Sequence, residues 1–177
     1  MRVLVIEAPE PVVTLAETLD HLRVDGGLED ALITRMVAAA TGDVEAFTEQ
    51  VFGARLLEAR FDAFETARCV RLPTPPAIEI VSFTWRGSDG AWREGDLDEI
   101  ELDGRDVVPA ADAPWSGMAL GPGSLRITYR AGYDDVPEQV RSAILLMTGF
   151  LYHNRGAETA EPPAAVAALL QPFRVYA

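Results

Sequence analysis

Apolar residues recur at helical spacing soon after the start of the chain. Thr14 and Glu17 form a T-x-x-E pattern, which predicts a capping box at the first turn of a helix. One face of that helix is apolar, because Leu15, Leu19 and Leu22 follow at intervals of three and four residues. A short amphipathic helix is therefore predicted, and it ends before the Gly-Gly pair at 26–27.

A second, longer helix is predicted from about Leu28. Its apolar positions lie on one side of the helix, and they are Leu32, Met36, Ala40, Val44, Phe47 and Val51, widened by Ile33 and Val37. Gly42 lies inside this pattern and indicates a bend or a close helix contact.

Three polar residues, His21, Arg23 and Asp25, lie between these two helices. A histidine or arginine at a helix C-terminus complements the helix dipole, and Asp25 can cap the next helix. A catalytic cluster would need a nucleophile, and no serine or cysteine lies nearby in the sequence. We therefore interpret the segment as the elbow between two helices.

The period changes from helical to alternating between residues 54 and 130. "ARLLEARFD" reads as a strand, and "AIEIVSFTWRGSDGAWREGD" reads as a strand, a turn and a return strand. "DEIELDGRDVV" predicts a hairpin whose two-residue turn is Asp103-Gly104. "SLRITYRAGY" predicts a further strand with Leu125, Ile127 and Tyr129 on one face.

Helical spacing returns after Pro137, with Val140, Ile144, Met147 and Leu151 on one side, and a short Ala-rich helix follows from 163 to 170. The predicted fold is α+β: a bundle of three to four helices with a small antiparallel β-sheet or hairpin insertion between helices 2 and 3. We expect one domain over 1–177, made of a helical hairpin (12–52), an inserted β region (54–130), C-terminal helices (136–171) and a tail (172–177).

The charge balance restricts the function. The chain has 15 basic residues, all of them arginine, against 28 acidic residues, and its net charge is -13. Affinity for phosphate comes from clustered Lys and Arg, so a broad nucleic-acid-binding face is not expected. DNA that passes nearby without binding is still compatible with this charge.

Few residues suggest a metal, cofactor or membrane site. The acidic run 96–103 resembles the first half of a calcium loop from Glu99, but the twelfth position is Ala110 instead of a bidentate Glu. A solvated hairpin face is the favoured interpretation of this run. Cys69 is the single cysteine, which we expect to be a half-buried strand residue rather than a nucleophile. The apolar run "RVLVI" is too short for a signal peptide, and no transmembrane span is predicted.

Four blocks in order resemble the head–tail connector (adaptor) family of long-tailed phages and phage-like gene transfer agents. They are "VTLAETLDHLRVDGGLEDALITRMVAAATGDVEAFT", "RLPTPP", "ITYRAGYDDVPEQVRSAILLMTGFLYHNR" and "ALLQPFRVY". The resemblance runs from about Val13 to Tyr176, with no matching block from Asp89 to Gly123.

This resemblance implies a structural role without catalytic residues or cofactors. Similar proteins form a homo-oligomeric ring of about twelve subunits below the portal protein, which extends the DNA channel and joins the head to the stopper or tail-completion protein. Double-stranded DNA passes through such a ring without specific binding. The implied location is the cytoplasm of a bacterial host during assembly and afterwards the neck of the virion or phage-like particle.

Two groups of residues are candidates for contacts with partners. Phe173, Arg174, Val175 and Tyr176 follow a helix-ending proline, and the resemblance implies that this tail engages the portal. The alternative is that the tail folds back onto its own helices. A second candidate zone, towards the tail side or a neighbouring subunit, contains Trp92, Asp103, Gly104 and Arg105.

Two other classes of function compete with the connector. One is a small cytosolic hydrolase that uses His153 or His21 with one of the many carboxylates. His153 lies in "YHNR", where a histidine at a helix C-terminus also suits the helix dipole. The other is a monomeric α+β binding module. We expect the connector, and therefore no enzyme.

Overall fold

The computed structural model describes residues 1–62, 69–110, 115, 117–119, 121–155 and 163–175 of the 177-residue chain. The chain divides into two compact units, each made of two separate segments. The sheet unit contains Met1–Glu10 and Ala54–Tyr133, and the helical unit contains Pro11–Gly53 and Asp134–Ala177. None of the helices among the described residues is long and apolar enough to cross a membrane.

The helical unit contains four α-helices in the described ranges. They are α1 (Leu15–Leu22), α2 (Asp30–Thr48), α3 (Glu138–His153) and α4 (Ala164–Leu170), and a short 3-10 helix, Gln171–Phe173, follows α4. The capping box predicted for α1 is present: the backbone N–H of Glu17 donates to the Thr14 hydroxyl, and the Glu17 carboxylate accepts from the backbone N–H of Thr14 at 2.7 Å. Helix α1 ends at Leu22, and the next residue, Arg23, has a φ of 57° that turns the chain out of the helix.

The core of the helical unit is formed by the facing sides of α2, α3 and α4. Its largest fully buried side chains include Phe52, Ile33, Ile144, Met147 and Leu170. Burial on α2 follows Ile33, Ala40, Val44 and Thr48, so the buried side is rotated from the predicted one, and Leu32 and Met36 are half-buried at its edge. Gly42 is exposed in open space, so it marks no close helix contact.

The elbow between α1 and α2 is confirmed, although its cap differs from the prediction. Asp25 does not cap α2, which begins at Asp30. The Asp30 carboxylate instead accepts a hydrogen bond from the backbone N–H of Gly27 at 2.8 Å. The chain therefore turns through Gly27, whose φ of 138° a side chain would disfavour.

The sheet unit contains eight strands in the described ranges. They are β1 (Arg2–Val5), β2 (Arg55–Phe61), β3 (Val70–Arg71), β4 (Ala77–Arg86), β5 (Trp92–Glu94), β6 (Ile100–Asp103), β7 (Asp106–Pro109) and β8 (Leu125–Ala131). Five of them form an antiparallel sheet in the order β1-β2-β8-β4-β5, and three form a second sheet in the order β3-β7-β6. A short 3-10 helix, Leu97–Glu99, connects β5 to β6.

Buried and more exposed residues alternate along β2 and β8, which gives the five-stranded sheet one buried face. Leu125, Ile127, Tyr129 and Ala131 are buried on β8, while the residues between them are half-exposed. The ring of Phe83 on β4 stacks on Trp85 and meets Trp115 edge to face, which extends this core. The predicted alternation of residues 125–129 is therefore confirmed.

The α+β class is confirmed, but a helical bundle with a small β insertion does not describe the fold well. Strand β1 precedes α1 in the chain and pairs with β2, so the sheet is not confined to the segment between helices 2 and 3. The eight strands and their buried face give the sheet unit a core of its own. The alternation of apolar and polar residues could not predict that β1 belongs to this sheet, because its four residues pair with a strand more than fifty positions away in the chain.

Two local predictions in the sheet unit are corrected. The hairpin turn is Gly104-Arg105 rather than Asp103-Gly104, because Asp103 pairs with Asp106 across β6 and β7, and Gly104 takes a φ of 61°. Cys69 is exposed rather than half-buried, and it lies just before β3.

Candidate interaction surfaces

The two histidines lie at helix ends in the helical unit. His21 is in the last turn of α1 and His153 is the last residue of α3, and both are exposed. Within the described ranges, neither imidazole hydrogen-bonds to a carboxylate, and no group of three or more His, Cys, Asp or Glu residues could hold a metal ion. The structure thus does not place either histidine in the orientation that a carboxylate gives to a general base.

The C-terminal segment contacts its own helical unit. The Phe173 ring meets the buried Phe52 ring edge to face at a centroid distance of 6.4 Å. The Val175 backbone N–H donates to the Thr48 carbonyl at 2.9 Å, and the Gln50 side-chain amide donates to the Phe173 carbonyl. Residues 173 and 175 are therefore held against the end of α2.

Arg174 is the exposed member of this segment. Its guanidinium lies 5.2 Å from the centre of the Phe47 ring, which is a cation–π distance. Tyr176, the fourth residue of the predicted docking tail, lies outside the described residues. Arg174 is thus exposed, and it also contacts its own helical unit through Phe47.

An apolar groove lies between α2 and α3. It has a volume of about 350 Å³, and its apolar lining comes from Leu32, Met36, Ala39 and Leu151. Leu28, just before α2, is fully exposed. Leu32, Met36 and Ala39 follow one another at helical spacing along α2, so they form an apolar edge on the surface of the helical unit.

A polar cluster fixes one end of this groove. Glu29 accepts hydrogen bonds from the Tyr152 hydroxyl at 2.6 Å and from Arg155 at 3.0 Å, and the guanidinium also lies 4.5 Å from the centre of the Tyr152 ring. The bonds from Arg155 and then from Tyr152 lower the pKa of Glu29, so its carboxylate is held in the charged form. The cluster ties the end of α3 to the start of α2 beside the groove.

The four residues of the second predicted contact zone lie in two different sheets. Trp92 is on β5 of the five-stranded sheet, with 45% of its surface exposed, and the Arg126 guanidinium lies 4.0 Å from the centre of its ring. Asp103 and Gly104 are exposed at the β6–β7 turn of the three-stranded sheet, where Arg105 is half-buried. The structure therefore does not establish them as one cluster.

The outer face of the five-stranded sheet contains arginines that the sequence analysis did not single out. Arg2, Arg60 and Arg126 occupy directly opposite positions on β1, β2 and β8. In the sequence, each of these arginines is a polar residue within a short apolar segment or a segment in which apolar and polar residues alternate. Their juxtaposition depends on strand order and register, which the sequence alone did not provide.

Comparison with known proteins identifies the fold. No family model and no curated protein matches this chain. A chain in the virion of a native gene transfer agent (GTA) particle superposes with a TM-score of 0.83 at 22% sequence identity, over 100% of this chain and 97% of that one. The fold is that of a GTA particle chain.

Two further solved structures show the same likeness. A chain in the neck of a native GTA particle, computed with C12 symmetry, gives a TM-score of 0.81 at 19% identity. A chain in the neck of an empty GTA particle, computed with C6 symmetry, gives 0.79 at 20% identity. Both alignments cover 100% of this chain and 97% of the other chain. At these identities the likeness establishes the fold, which the two units therefore share with GTA neck chains over their whole length.

Proposed function

We propose that this protein is a structural subunit of the neck of a GTA-like or phage-like particle. The observation that carries the proposal is the full-length likeness to chains solved in GTA necks, together with the absence of a catalytic arrangement around either histidine in the described ranges. The subunit acts as an adaptor: about twelve copies form a ring below the portal and join the head to the stopper or tail. The neck solved with C12 symmetry supports this copy number.

The apolar groove of the helical unit supports lateral contact between subunits. Leu32, Met36 and Leu151 on α2 and α3 are only partly covered by the residues that the structure describes, and Leu28 just before α2 is fully exposed. In a ring, a neighbouring helix would bury this surface, with a gain of about 25 cal/mol per Å² of apolar area. The whole chain would then act as one connector subunit, with the helices side by side around the ring.

The net charge of -13 supports a channel that DNA passes through without being held. Repeated around a ring, this charge repels phosphate and opposes retention of the duplex. Replacing acids that face the channel by arginine should slow DNA ejection, and unchanged ejection would count against this part of the proposal.

Docking to the portal is assigned to the C-terminal segment, with Arg174 as its accessible contact. A deletion of 172–177 also removes the Phe173 and Val175 contacts to the helical unit, so it confounds docking with stability. Arg174→Glu is the sharper variant, because it reverses an exposed charge and keeps the Phe173 and Val175 contacts, although it removes the cation–π contact with Phe47. Arg23→Glu, at another exposed position of the helical unit, is the matched control.

The test uses a particle-producing strain that lacks the chromosomal gene. Electron microscopy should show tailless, non-infective particles without the protein and normal particles when wild type or Arg23→Glu is supplied. Arg174→Glu should give heads without tails although the variant is folded. Particles with normal tails in the strain that lacks the gene would overturn the proposed function. Particles with normal tails in the strain that expresses Arg174→Glu would overturn only the docking assignment.

A further inference from the structure

A single row of side chains crosses the outer face of the five-stranded sheet from a basic end to an acidic end. Its members are directly opposite one another in successive strands: Arg2 on β1, Arg60 on β2, Arg126 on β8, Thr84 on β4 and Glu94 on β5. Like charges in directly opposite positions destabilise a sheet, so three adjacent arginines need a reason.

Contacts among the described residues compensate the arginines only in part. Arg60 donates to the Glu58 carboxylate at 2.6 Å, and the Arg126 guanidinium stacks on the Trp92 ring. The Nε–H of Arg126, however, is buried and donates to no acceptor in the described part of the chain. A buried donor without an acceptor is costly, so the row of arginines is not fully compensated within the described part of the chain.

The three arginines line a cleft of about 390 Å³, together with Asp62, Pro122 and Gly123. Asp62 is already engaged, because it accepts the backbone N–H of Gly123 at 2.8 Å. This hydrogen bond and nearby positive charge lower the pKa of Asp62, so the carboxylate stays ionised beside the cleft. Three guanidinium groups around one cleft suit a carboxylate ligand, which arginine binds with paired hydrogen bonds.

The acidic end of the row continues into a run of exposed carboxylates. After Glu94 on the edge strand β5, the chain presents Asp96, Asp98, Glu99, Glu101 and Asp103, all of them exposed. Across the described residues, none of these six side chains forms an ion pair. With strands about 4.8 Å apart, β1 and β5 lie about 19 Å apart at opposite edges of the same sheet.

We propose that the arginine cleft of one copy binds the acidic segment 94–103 of the neighbouring copy in the ring. The inference rests on the proposed function, because it requires several copies side by side. Complementary surfaces on opposite edges of one unit give a head-to-tail contact, and such contacts close into a ring when the rotation between copies permits it. The contact is made by the sheet unit and is separate from the apolar groove of the helical unit.

The neighbouring copy fits the cleft better than a DNA phosphate does. Two carboxylates, Glu58 and Asp62, lie beside the arginines, so the cleft is not the continuous basic surface that gives affinity for a phosphate backbone. The acidic segment, in contrast, is present in every copy, is exposed and has no ion-pair partner within its own chain over the described ranges.

A pair of charge-reversal variants tests this contact. One variant carries Arg2→Glu and Arg60→Glu, and the other carries Glu99→Arg and Glu101→Arg. Each is expressed in the particle-producing strain that lacks the gene, and the copies per purified particle neck are counted by quantitative mass spectrometry. We expect each variant alone to be incorporated at least tenfold less than wild type, while Arg23→Glu is incorporated normally.

Co-expression of the two variants should restore incorporation. In a ring where the two variants alternate, the wild-type arginine cleft of one variant meets the wild-type acidic segment of the other. At the next contact, the two charge-reversed surfaces meet, so their charges are again opposite. A ring with an even number of copies can therefore close. A simple folding defect would not be rescued in this way. If the double variant Arg2→Glu and Arg60→Glu melts well below wild type, Arg2→Glu alone, at the exposed start of β1, replaces it.

The outcomes separate this inference from the proposed function. Wild-type incorporation of either variant alone, or no rescue on co-expression, would overturn the proposed contact while the neck assignment stands. Complete rings that package or eject DNA poorly would assign the cleft to phosphate and also overturn it. Absence of the wild-type protein from purified necks would remove the proposed function itself.

Discussion

Arg141 of α3 donates a hydrogen bond to Glu17 of α1, while its guanidinium also donates to the Val12 carbonyl at 2.7 Å. The same Glu17 carboxylate accepts from the backbone N–H of Thr14 and thereby closes the capping box of α1. One side chain thus connects the first turn of α1 to α3, which begins more than a hundred residues later. This connection fixes α1 within the helical unit.

The Glu17 contact should make stability depend on pH in the acidic range. The backbone N–H and hydroxyl of Thr14, followed by the charge of Arg141, hold the pKa of Glu17 below its ordinary value of 4.5. A carboxylate with a lowered pKa stabilises the folded state above the unfolded pKa, and this stabilisation is lost as the pH falls through the folded pKa. We expect Glu17→Gln to lower the free energy of unfolding by about 0.5 kcal/mol at neutral pH, the usual size for a partly exposed pair.

Urea denaturation followed by circular dichroism, from neutral to strongly acidic pH, measures this effect. The difference between wild type and Glu17→Gln should shrink towards zero as the pH falls below 4.5. Glu138→Gln is the matched control, because Glu138 lies 3.6 Å from the same guanidinium but is 87% exposed. A difference that is constant with pH would show that Glu17 acts through packing or capping alone.

Replacing two glycines by alanine should change the stability of the protein in opposite directions. Gly42 lies inside α2 with no atom within 4 Å of the position that a Cβ would take, so Gly42→Ala should stabilise by about 0.5–1 kcal/mol through helix propensity. A Cβ on Gly95 would lie 1.9 Å from a carbon of the Phe83 ring. That ring stacks on Trp85 and meets Trp115 edge to face, so Gly95→Ala should destabilise by about 1–3 kcal/mol.

Thermal denaturation of the two glycine variants checks these signs against wild type. Since the chemical change is the same in both, each variant controls for the other. An increase in Tm for Gly95→Ala would mean that the Phe83 ring can move away, and the packing described for the sheet unit would be wrong. A decrease for Gly42→Ala would show a close contact at that position of α2.

The C-terminal segment should contribute to the stability of the helical unit. Phe173 is half-buried and its ring contacts the fully buried Phe52, so Phe173→Ala should lower the free energy of unfolding by about 1–2 kcal/mol. Phe173→Leu keeps most of the apolar area and should lose less. Denaturant unfolding of both variants measures the effect, and equal stability of Phe173→Ala and wild type would show that the segment does not pack on α2 in solution.

Local sequence signals predicted the elements that depend on neighbours in the chain. The capping box at Thr14, the alternation of Leu125, Ile127 and Tyr129, and the hairpin around Gly104 all rest on spacings of a few residues. The same signals were weaker at element ends, where the β6–β7 turn moved by one residue. They also placed the buried side of α2 too far towards Leu32 and Met36, because a half-buried apolar residue at helical spacing has the same sequence pattern as one in the core.

Features that depend on distant pairing were not predictable from one sequence. Strand β1 has its partner in β2, and the alignment of Arg2, Arg60 and Arg126 follows from that pairing and from the register of β2 with β8. The engagement of Phe173 with Phe52 likewise joins segments separated by more than a hundred residues. The sequence identified Phe173 and Arg174 as a candidate tail but left open whether the tail folds back.

The alternation of the two units along the chain affects their synthesis. Strand β1 is synthesised before α1 and α2, but its pairing partner β2 is synthesised only after both helices. Helices α1 and α2 pack against α3, which is translated only after the eight strands of the described ranges. Such long delays between pairing partners slow folding and leave apolar segments exposed to other nascent chains. Codon changes that alter translation timing, or depletion of chaperones, should therefore reduce the yield of this subunit. The reduction should be larger than for a protein in which each unit is a single continuous segment.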